Sequence, residues 1–87
     1  MKMRVTKPSA AQVFKASSWG IWTKEMSVFT WEYEEKETCY ILEGSAEVTD
    51  SQGNKVTFGP GDWVEFEQGL TCIWKITKPI KKHYTFG

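Results

Sequence analysis

The chain has 87 residues, which is enough for one hydrophobic core but too few for two. Its 11 basic and 11 acidic residues cancel, and this balance argues against a protein that binds nucleic acid, which normally carries a basic excess. Aromatic residues make up 15% of the chain, so a few large side chains can fill a compact interior. We therefore expect a single domain that spans residues 1–87.

The N-terminal stretch, the absence of a long apolar run and the small number of cysteines favour an intracellular protein. The opening stretch "MKMRVTKPSAAQ" lacks the apolar core of a secretory signal peptide, and no apolar run approaches the length of a membrane span. The two cysteines, Cys39 and Cys72, are too few for a disulfide framework and are not spaced as a zinc-binding CxxC pair. We therefore expect a cytoplasmic protein with reduced thiols that binds neither membranes nor nucleic acid.

The first third of the chain combines one helical stretch with strand-like sequence. Residues 8–14, "PSAAQVF", predict a short helical turn with Pro8 at its first position. Small residues up to Gly20 end that pattern. Over residues 21–33, "IWTKEMSVFTWEY", β-branched and aromatic residues alternate roughly with others, which predicts strands. The charge run "EEKE", residues 34–37, predicts a polar turn.

The rest of the chain predicts short strands separated by turns. "TCYIL" and "SAEVT" read as two strands on either side of Gly44, and "DSQGN" and "GPGD" read as tight turns. "KVTF", "WVEFE", "TCIWKIT" and "KKHYTF" follow as strands, with Pro79 interrupting the last two. In all, roughly eight or nine short strands with frequent turns are typical of an all-β sandwich or barrel.

Two stretches, "ETCYILEG" and "GPGDWVEFEQGLTCIW", resemble the two signature motifs of the cupin superfamily, which are small β-barrels of jelly-roll type. The first cupin motif ends in a glutamate, six residues and a glycine, and Glu37 and Gly44 match it. The second motif is a glycine, five residues, proline, any residue, glycine, two residues and histidine. The corresponding positions hold Gly61, Glu67, Gly69 and Cys72. The resemblance implies a small cupin-type jelly-roll barrel with a short N-terminal helical turn.

Further stretches narrow the resemblance to one group of small cupins. "W-x-Y", "GD-x-V-x-F", "GL-x-C-x-W" and "KKHY-x-F" are similar to the cupins grouped with ureidoglycine aminohydrolase and the ethanolamine-utilisation cupin. The similarity covers most of the chain. It implies that a binding site would lie in the barrel interior.

The family's metal ligands are mostly replaced in this chain. A standard cupin binds a divalent metal through two histidines in HxH, the glutamate of the first motif and the histidine of the second. Glu37 is kept, but Cys72 stands where the second-motif histidine would be. The HxH positions fall on Trp31 and Tyr33, or on Thr30 and Glu32 if the spacer is one residue longer. The resemblance therefore does not carry the metal activity over to this chain.

Strand alternation predicts which side chains share the pocket. Glu37 and Cys39 fall on one face of the first-motif strand, and Cys72 and Trp74 on one face of the second-motif strand. The resemblance makes these faces the barrel interior. The predicted ligand-binding pocket comprises Trp31, Tyr33, Glu37, Cys39, Cys72 and Trp74. An aromatic pocket with one acid suits a small, partly apolar or cationic metabolite, or a sugar ring.

Several residues keep two interpretations at this point. Glu37 faces a ligand or belongs to a solvated charge run. Cys39 and Cys72 are either small buried side chains or, together with Glu37, candidate ligands for a divalent metal such as zinc. His83 is the only histidine and is predicted at a strand end, with a place in the pocket left open. Lys82 and its neighbour Lys81 are predicted to be solvated or to protect a sheet edge.

Three functions are compatible with these features. The favoured one is a cupin that binds a small metabolite in an aromatic pocket without the usual histidine ligands. The second is a metal-dependent enzyme with an atypical site of glutamate and cysteine, acting on a small nitrogenous or sugar-like metabolite. The third is a non-catalytic module that self-associates, as a homodimer for example, or binds a protein partner. The sequence leaves open whether the chain is an enzyme.

Overall fold

The structure, a computed structural model, describes residues 2–87 and consists of seven β-strands and one short helix. The elements are β1 (Met3–Thr6), α1 (Ala10–Ala16), β2 (Gly20–Lys24), β3 (Ser27–Glu32), β4 (Glu37–Asp50), β5 (Lys55–Phe58), β6 (Trp63–Phe66) and β7 (Thr71–Phe86). All strand pairs are antiparallel, in the order β1-β6-β4-β7-β2, with β3 also on β7 and β5 also on β4. The predicted all-β fold with a short N-terminal helix is confirmed.

The two longest strands, β4 and β7, fold this sheet over on itself. Residues 37–43 of β4 pair with β6 and with residues 81–86 of β7. Residues 45–50 of β4 pair instead with β5 and with residues 72–78 of β7. Strand β2 extends the first layer and β3 the second. Register shifts on β4 mark the bend between the layers, because bulges sharpen twist and bending.

Gly44 lies at this bend and is required there. Its φ is +83°, a backbone conformation that L side chains rarely adopt. A Cβ atom at this position would overlap the backbone carbonyl of Pro79 on the neighbouring strand. The closing glycine of the first cupin-like motif therefore has a structural reason, which is the close approach of β4 and β7.

The predicted strand boundaries at the bend were wrong in two places. The stretches on either side of Gly44 form one strand, β4, rather than two. Pro79 does not interrupt β7, which runs through it. The proline is tolerated because it falls where the ladder between β4 and β7 shifts register, so its missing N–H removes no regular hydrogen bond.

The N-terminal segment also differs from the prediction. The helix begins at Ala10 rather than at Pro8, because Ser9 is its N-cap. The Ser9 side chain accepts a hydrogen bond from the Gln12 backbone, and the Gln12 side chain accepts one from the Ser9 backbone, which is a capping box. The short strand β1 was not predicted, since four residues carry little alternation and its pairing with β6 defines it.

The interior is filled from both layers. Inward side chains of the first layer, such as Ile41 and Phe66, meet those of the second, such as Phe58 and Trp74. Phe66 lies 5.4 Å from Trp74 and 6.2 Å from Phe58, measured between ring centroids. Helix α1 instead lies outside the barrel, where Ala16 is fully buried. Within residues 2–87 no helix is both long enough and apolar enough to span a membrane.

Candidate functional site

A cavity of about 500 Å³ opens into one end of the folded sheet. Its walls come from β2, β3 and both halves of β7, together with the start of β4. The lining residues, which we call the aromatic cavity, are Trp22, Lys24, Phe29, Trp31, Tyr33, Glu37, Trp74, Lys82, Tyr84 and Phe86. Its volume lies within the range of small-molecule sites, roughly 300–1,000 Å³.

Three polar side chains, Tyr33, Glu37 and Lys82, form a buried triad at the closed end of the aromatic cavity. Glu37 is 3% exposed and Lys82 is 4% exposed. Lys82 Nζ lies 2.8 Å from Glu37 Oε2, and the Tyr33 hydroxyl donates to Glu37 Oε1 at 2.7 Å. Both carboxylate oxygens are thus engaged. The ion pair allows two charges to remain in an interior that would exclude either one alone.

Strand register brings the triad together. Glu37 opens β4 between its partners Phe66 on β6 and Phe86 on β7. Lys82 pairs with Ile41 on β4, and its long stem reaches along the interior to Glu37. Tyr33 directly follows β3. Its backbone N–H donates to the Leu70 carbonyl at 2.8 Å, which fixes the chain where its ring enters the interior.

The Lys82 ammonium also lies against two indole rings. Its Nζ is 4.7 Å from the ring centroid of Trp22 and 4.6 Å from that of Trp74. Phe29 stacks on Trp74 with centroids 6.0 Å apart and an interplanar angle of 11°. Lys24 Nζ lies 5.2 Å from the Phe29 centroid. Two lysines therefore cover one continuous aromatic wall through cation–π contacts.

The mouth of the cavity is apolar and exposed to solvent. Trp31 is 46% exposed and Phe86 is 44% exposed. Trp31 packs edge-on against Tyr33, with centroids 6.4 Å apart. Tyr33 in turn stacks on Phe66 at 5.0 Å. Aromatic surface therefore runs from the solvent at Trp31 to Tyr33 in the buried triad.

Burial keeps the hydroxyl and thiol groups of this region protonated. Burial raises the pKa of Tyr33 far above its usual value, and the adjacent Glu37 carboxylate raises it further. Burial also raises the pKa of Cys39 to about 12 and that of Cys72 to about 11. Tyr33 is therefore a hydrogen-bond donor, and the two cysteines are poor nucleophiles, because the thiolate is the reactive form.

The structure separates the six predicted pocket residues into two groups. Trp31, Tyr33, Glu37 and Trp74 line the aromatic cavity. Cys39 and Cys72 are buried beside it, 0% and 2% exposed, and do not line it. The Cys72 thiol instead donates to the Trp31 carbonyl at 3.6 Å. The binding role of all six residues stays a prediction.

The candidate metal ligands Glu37, Cys39 and Cys72 are not assembled into a metal centre. Within the described residues, no group of three or more His, Cys, Asp or Glu side chains is placed to hold a metal ion. Glu37 is already neutralised by Lys82, whose positive charge would repel a cation, and the cysteines are held as thiols. These residues do not fit the divalent metal that the fold family implies.

Lys82 is the buried charged site residue that the sequence interpretation missed; the cavity-lining residues Trp22, Lys24, Phe29, Tyr84 and Phe86 were also not predicted. Lys82 was predicted to be solvated, which is wrong. The available signal was period-two alternation: Lys82 lies an even number of residues from Cys72 and Trp74 and faces inward like them, although the same count includes the exposed Lys78 at the bend. His83 consequently points to the outer face, between its strand partners Tyr40 and Ile21, and does not line the cavity.

Comparison with known proteins agrees with this architecture. A family model described as the EutQ-like cupin domain matches residues 12–84. The crystal structure of a DUF861 family protein from Thermotoga maritima has a TM-score of 0.94 and 42% identity, covering 98% of this chain and 99% of that one. No curated protein matches.

More distant structures share the fold alone. The Clostridium difficile EutQ protein has a TM-score of 0.71 and 18% identity, covering 77% of this chain and 52% of that one. A Rhizobium leguminosarum protein of unknown function has a TM-score of 0.66 and 22% identity, covering 99% of this chain and 97% of that one. The predicted small cupin jelly roll is confirmed, and the chain belongs to the EutQ-like cupin family.

Proposed function

We propose that this cupin binds a small organic metabolite in the aromatic cavity without a histidine-ligated metal. The observation that carries the proposal is the buried triad at the closed end of a cavity of about 500 Å³ whose other walls are largely aromatic. Aromatic walls with a few fixed polar groups are the usual composition of a small-molecule site. The triad supplies the fixed polar groups, and Trp31 at the mouth supplies an accessible stacking surface.

The charge arrangement supports binding without a metal. In the standard cupin site the metal provides the positive charge beside the first-motif glutamate. Here Lys82 provides a positive charge at 2.8 Å from Glu37, and it is held there by two indole faces. An ammonium group is fixed in this way without any metal ligand, so the replacement of the family's histidines is compatible with a formed site.

The alternative enzyme hypothesis, a metal site of glutamate and cysteine, has less support. Its three candidate ligands do not form a group, and both thiols have raised pKa values. Elemental analysis of protein purified without a histidine tag tests this point. We expect no stoichiometric zinc, iron or manganese. One equivalent of metal that is lost on Glu37→Gln would overturn the metal-free proposal.

Binding itself is tested by ligand-observed NMR with a defined mixture of small carboxylic acids, amides, amines and sugars. We expect at least one component to bind wild-type protein and to raise its melting temperature, since a ligand specific for the folded state stabilises it. Trp31→Ala should abolish or strongly weaken that signal. The matched control is Trp19→Ala, because Trp19 packs outside the cavity against Trp63 at 5.3 Å.

Equal loss of binding in the two tryptophan variants would argue for a general effect on the fold. If Trp31→Ala binds the ligand as tightly as wild type does, and a second ligand known to bind another surface displaces it, the ligand binds outside the aromatic cavity. That result would overturn the proposal. Binding that is lost in Trp31→Ala and kept in Trp19→Ala supports the cavity.

One observation favours self-association as a second function. Val28 on β3 and Ile73 on β7 are 66% and 51% exposed, and they are diagonal neighbours on the outer face of the second layer. Burial of these side chains against a second copy would remove apolar surface from water. We expect a homodimer by light scattering and a monomer for the double variant Val28→Lys/Ile73→Lys. A monomeric wild-type protein would contradict this second proposal.

We also propose a cytoplasmic location. Cys39 and Cys72 are both free and buried, which suits a reducing compartment. A tag that can be labelled only in one cellular compartment is fused to this chain. Labelling of the tag in intact cells then checks the location.

A further inference from the structure

We propose that the ligand of the aromatic cavity is a small monoanion, a carboxylate attached to a flat apolar body. This inference rests on the proposed function and names its ligand class. The starting point is the set of charged groups in the cavity wall, which comprises two ammonium groups, Lys24 and Lys82, and one carboxylate, Glu37. The wall therefore has an excess of one positive charge.

The single carboxylate is not available to attract a cation. Glu37 Oε2 accepts from Lys82 at 2.8 Å, and Glu37 Oε1 accepts from the Tyr33 hydroxyl at 2.7 Å. A cationic ligand would have to displace Lys82 from a contact that is almost fully buried. Displacement would leave the ammonium without its partner in the interior, which is costly.

The aromatic faces best placed to attract a cation are also occupied. Lys82 Nζ lies over Trp22 and Trp74, and Lys24 Nζ lies over Phe29. The chain thus fills its own aromatic cage with its own ammonium groups. A ligand amine that approached this wall would meet two like charges and no free ring face, so the sequence-based expectation of a cationic metabolite loses its support.

Lys24 is the group that remains to be neutralised. Among residues 2–87 no carboxylate lies within 4.0 Å of its Nζ, and it is exposed at the edge of the cavity. Lys24 pairs with Ile80, and Trp22 pairs with Lys82, so the two lysines are diagonal neighbours on adjacent strands. Diagonal neighbours in a sheet are roughly 7–8 Å apart, so the exposed and flexible Lys24 side chain can pair with a carboxylate at the cavity edge, while the fixed ammonium of Lys82 lies behind it.

The flat apolar body is inferred from the faces that the lysines leave uncovered. Trp31 and Phe86 are about half exposed at the mouth, and Tyr84 packs against Phe86 with centroids 5.7 Å apart. These rings differ from the lysine-covered wall because, among the described residues, no ammonium group lies over them. A planar group would stack there while its carboxylate pairs with Lys24.

Three probes with one ring and different charges test the inference: benzoate, benzamide and benzylammonium. Titrations of isotope-labelled protein, followed by NMR shifts of cavity residues at low ionic strength, give the dissociation constants. We expect benzoate to bind most tightly and benzylammonium most weakly. Added salt should weaken benzoate binding and leave benzamide binding unchanged, because only a charge pair is screened.

Two lysine variants locate the effect. Lys24→Gln should weaken benzoate binding about two- to fivefold, the range expected for one partly exposed charge pair, and leave benzamide binding unchanged. Lys75→Gln is the matched control, because Lys75 is an exposed residue on the outer face of β7. It removes the same charge from the chain and should change neither probe.

The outcomes separate this inference from the proposed function. Cavity binding in which benzamide or benzylammonium equals or exceeds benzoate would overturn the anion inference and leave the metabolite site in place. Equal weakening of benzoate by Lys24→Gln and Lys75→Gln would also overturn it, because only net charge would then matter. The absence of any shift in cavity residues, with these probes and with the metabolite mixture, would overturn both proposals.

Discussion

The two halves of β7 follow the same alternation but bury different chemistry. The first half, residues 71–76, turns Cys72, Trp74 and Ile76 inward, each 2% exposed. In the second half, residues 80–86, the same alternation turns Ile80 and Lys82 inward, at 2% and 4%. Strand geometry therefore decides which side chain enters the interior, whatever its polarity. The polarity of that side chain then decides whether it needs a charged partner in the interior.

The consequence is a difference in how each half is stabilised. The first half is held by apolar burial, in which Trp74 packs against Phe29, Phe58 and Phe66. The second half depends on one specific partner, since the Lys82 ammonium is compatible with the interior only beside Glu37. We infer that the first half tolerates apolar substitution of similar volume, whereas the second half does not tolerate the loss of either charge alone.

The largest effect is expected where the two halves meet. Gly44→Ala should destabilise the fold by more than about 4 kcal/mol, because it combines a positive φ with overlap of the new Cβ and the Pro79 backbone. Urea unfolding followed by circular dichroism measures the free energy of unfolding. If the variant is too unstable to purify, its soluble yield relative to wild type replaces that measurement.

Gly53→Ala is the control for backbone strain. Gly53 has nearly the same φ, +85°, but a Cβ there would meet nothing within 4 Å. This variant should lose only about 1–2 kcal/mol. Similar losses at both glycines would mean that the contact between Gly44 and Pro79 does not set the bend.

The second effect tests the ion pair in the second half. Lys82→Met should lower the free energy of unfolding by about 3–5 kcal/mol, because it leaves the Glu37 carboxylate buried without a counter-charge. The neighbouring Lys81→Met should change it by less than about 0.5 kcal/mol. Lys81 is only loosely paired, 3.8 Å from Glu43, and both groups are partly exposed. Urea denaturation of the two variants makes the comparison.

A double variant separates a lost charge partner from lost packing. Glu37→Leu/Lys82→Met removes both charges and should recover most of the stability lost in Lys82→Met, as replacement of a whole buried pair by apolar groups is often neutral. A double variant that is less stable than Lys82→Met would show that the Glu37–Lys82 pair stabilises the fold by more than mutual charge neutralisation. Equal stability of Lys82→Met and Lys81→Met would contradict the assigned ion pair.

The difference between the halves of β7 also explains how far the sequence could predict the molecule. The first half was predictable because its inward residues are apolar, so alternation and hydrophobicity agree. Glu37 and Gly44 were identified by their spacing within a motif. Local patterns thus sufficed for the all-β class, and the resemblance to cupin motifs supplied the jelly roll, the first-motif acid and the interior position of Trp31 and Trp74.

The triad could not be predicted in the same way. "KKHY" has the composition of a solvated strand end, and only the register of β7 against β4 makes Lys82 a neighbour of Glu37, 45 residues away. Pairing over such a distance depends on the bend at Gly44 and Pro79, which the sequence interpretation divided into separate strands. Alternation on β7 is compatible with an inward Lys82, but it does not identify Glu37, the partner without which a buried ammonium would be too costly.

The smallest effect, a dependence on pH, uses Cys72 in the first half of β7 and Cys39 on β4 beside the second half. Cys39, opposite Tyr84, has its pKa raised to about 12 by burial, whereas an unfolded thiol titrates near 8.5. The folded state therefore keeps a proton that the unfolded chain has lost, so this stability is complete below about pH 8.5 and declines as pH rises toward 12.

Cys39→Ala should accordingly make the fall in stability between pH 7.5 and pH 10.5 about 2.5 kcal/mol smaller than in wild type, as measured by urea unfolding at both values. Cys72→Ala should reduce the fall by nearly as much, because the pKa of Cys72 is raised to about 11, which is also above pH 10.5. Thr38→Ala, next to Cys39 on the same strand, changes no titrating group and should leave the fall unchanged. If all three variants lose stability as steeply as wild type, the thiols titrate alike in both states. Burial of the two thiols would then be weaker than the structure indicates.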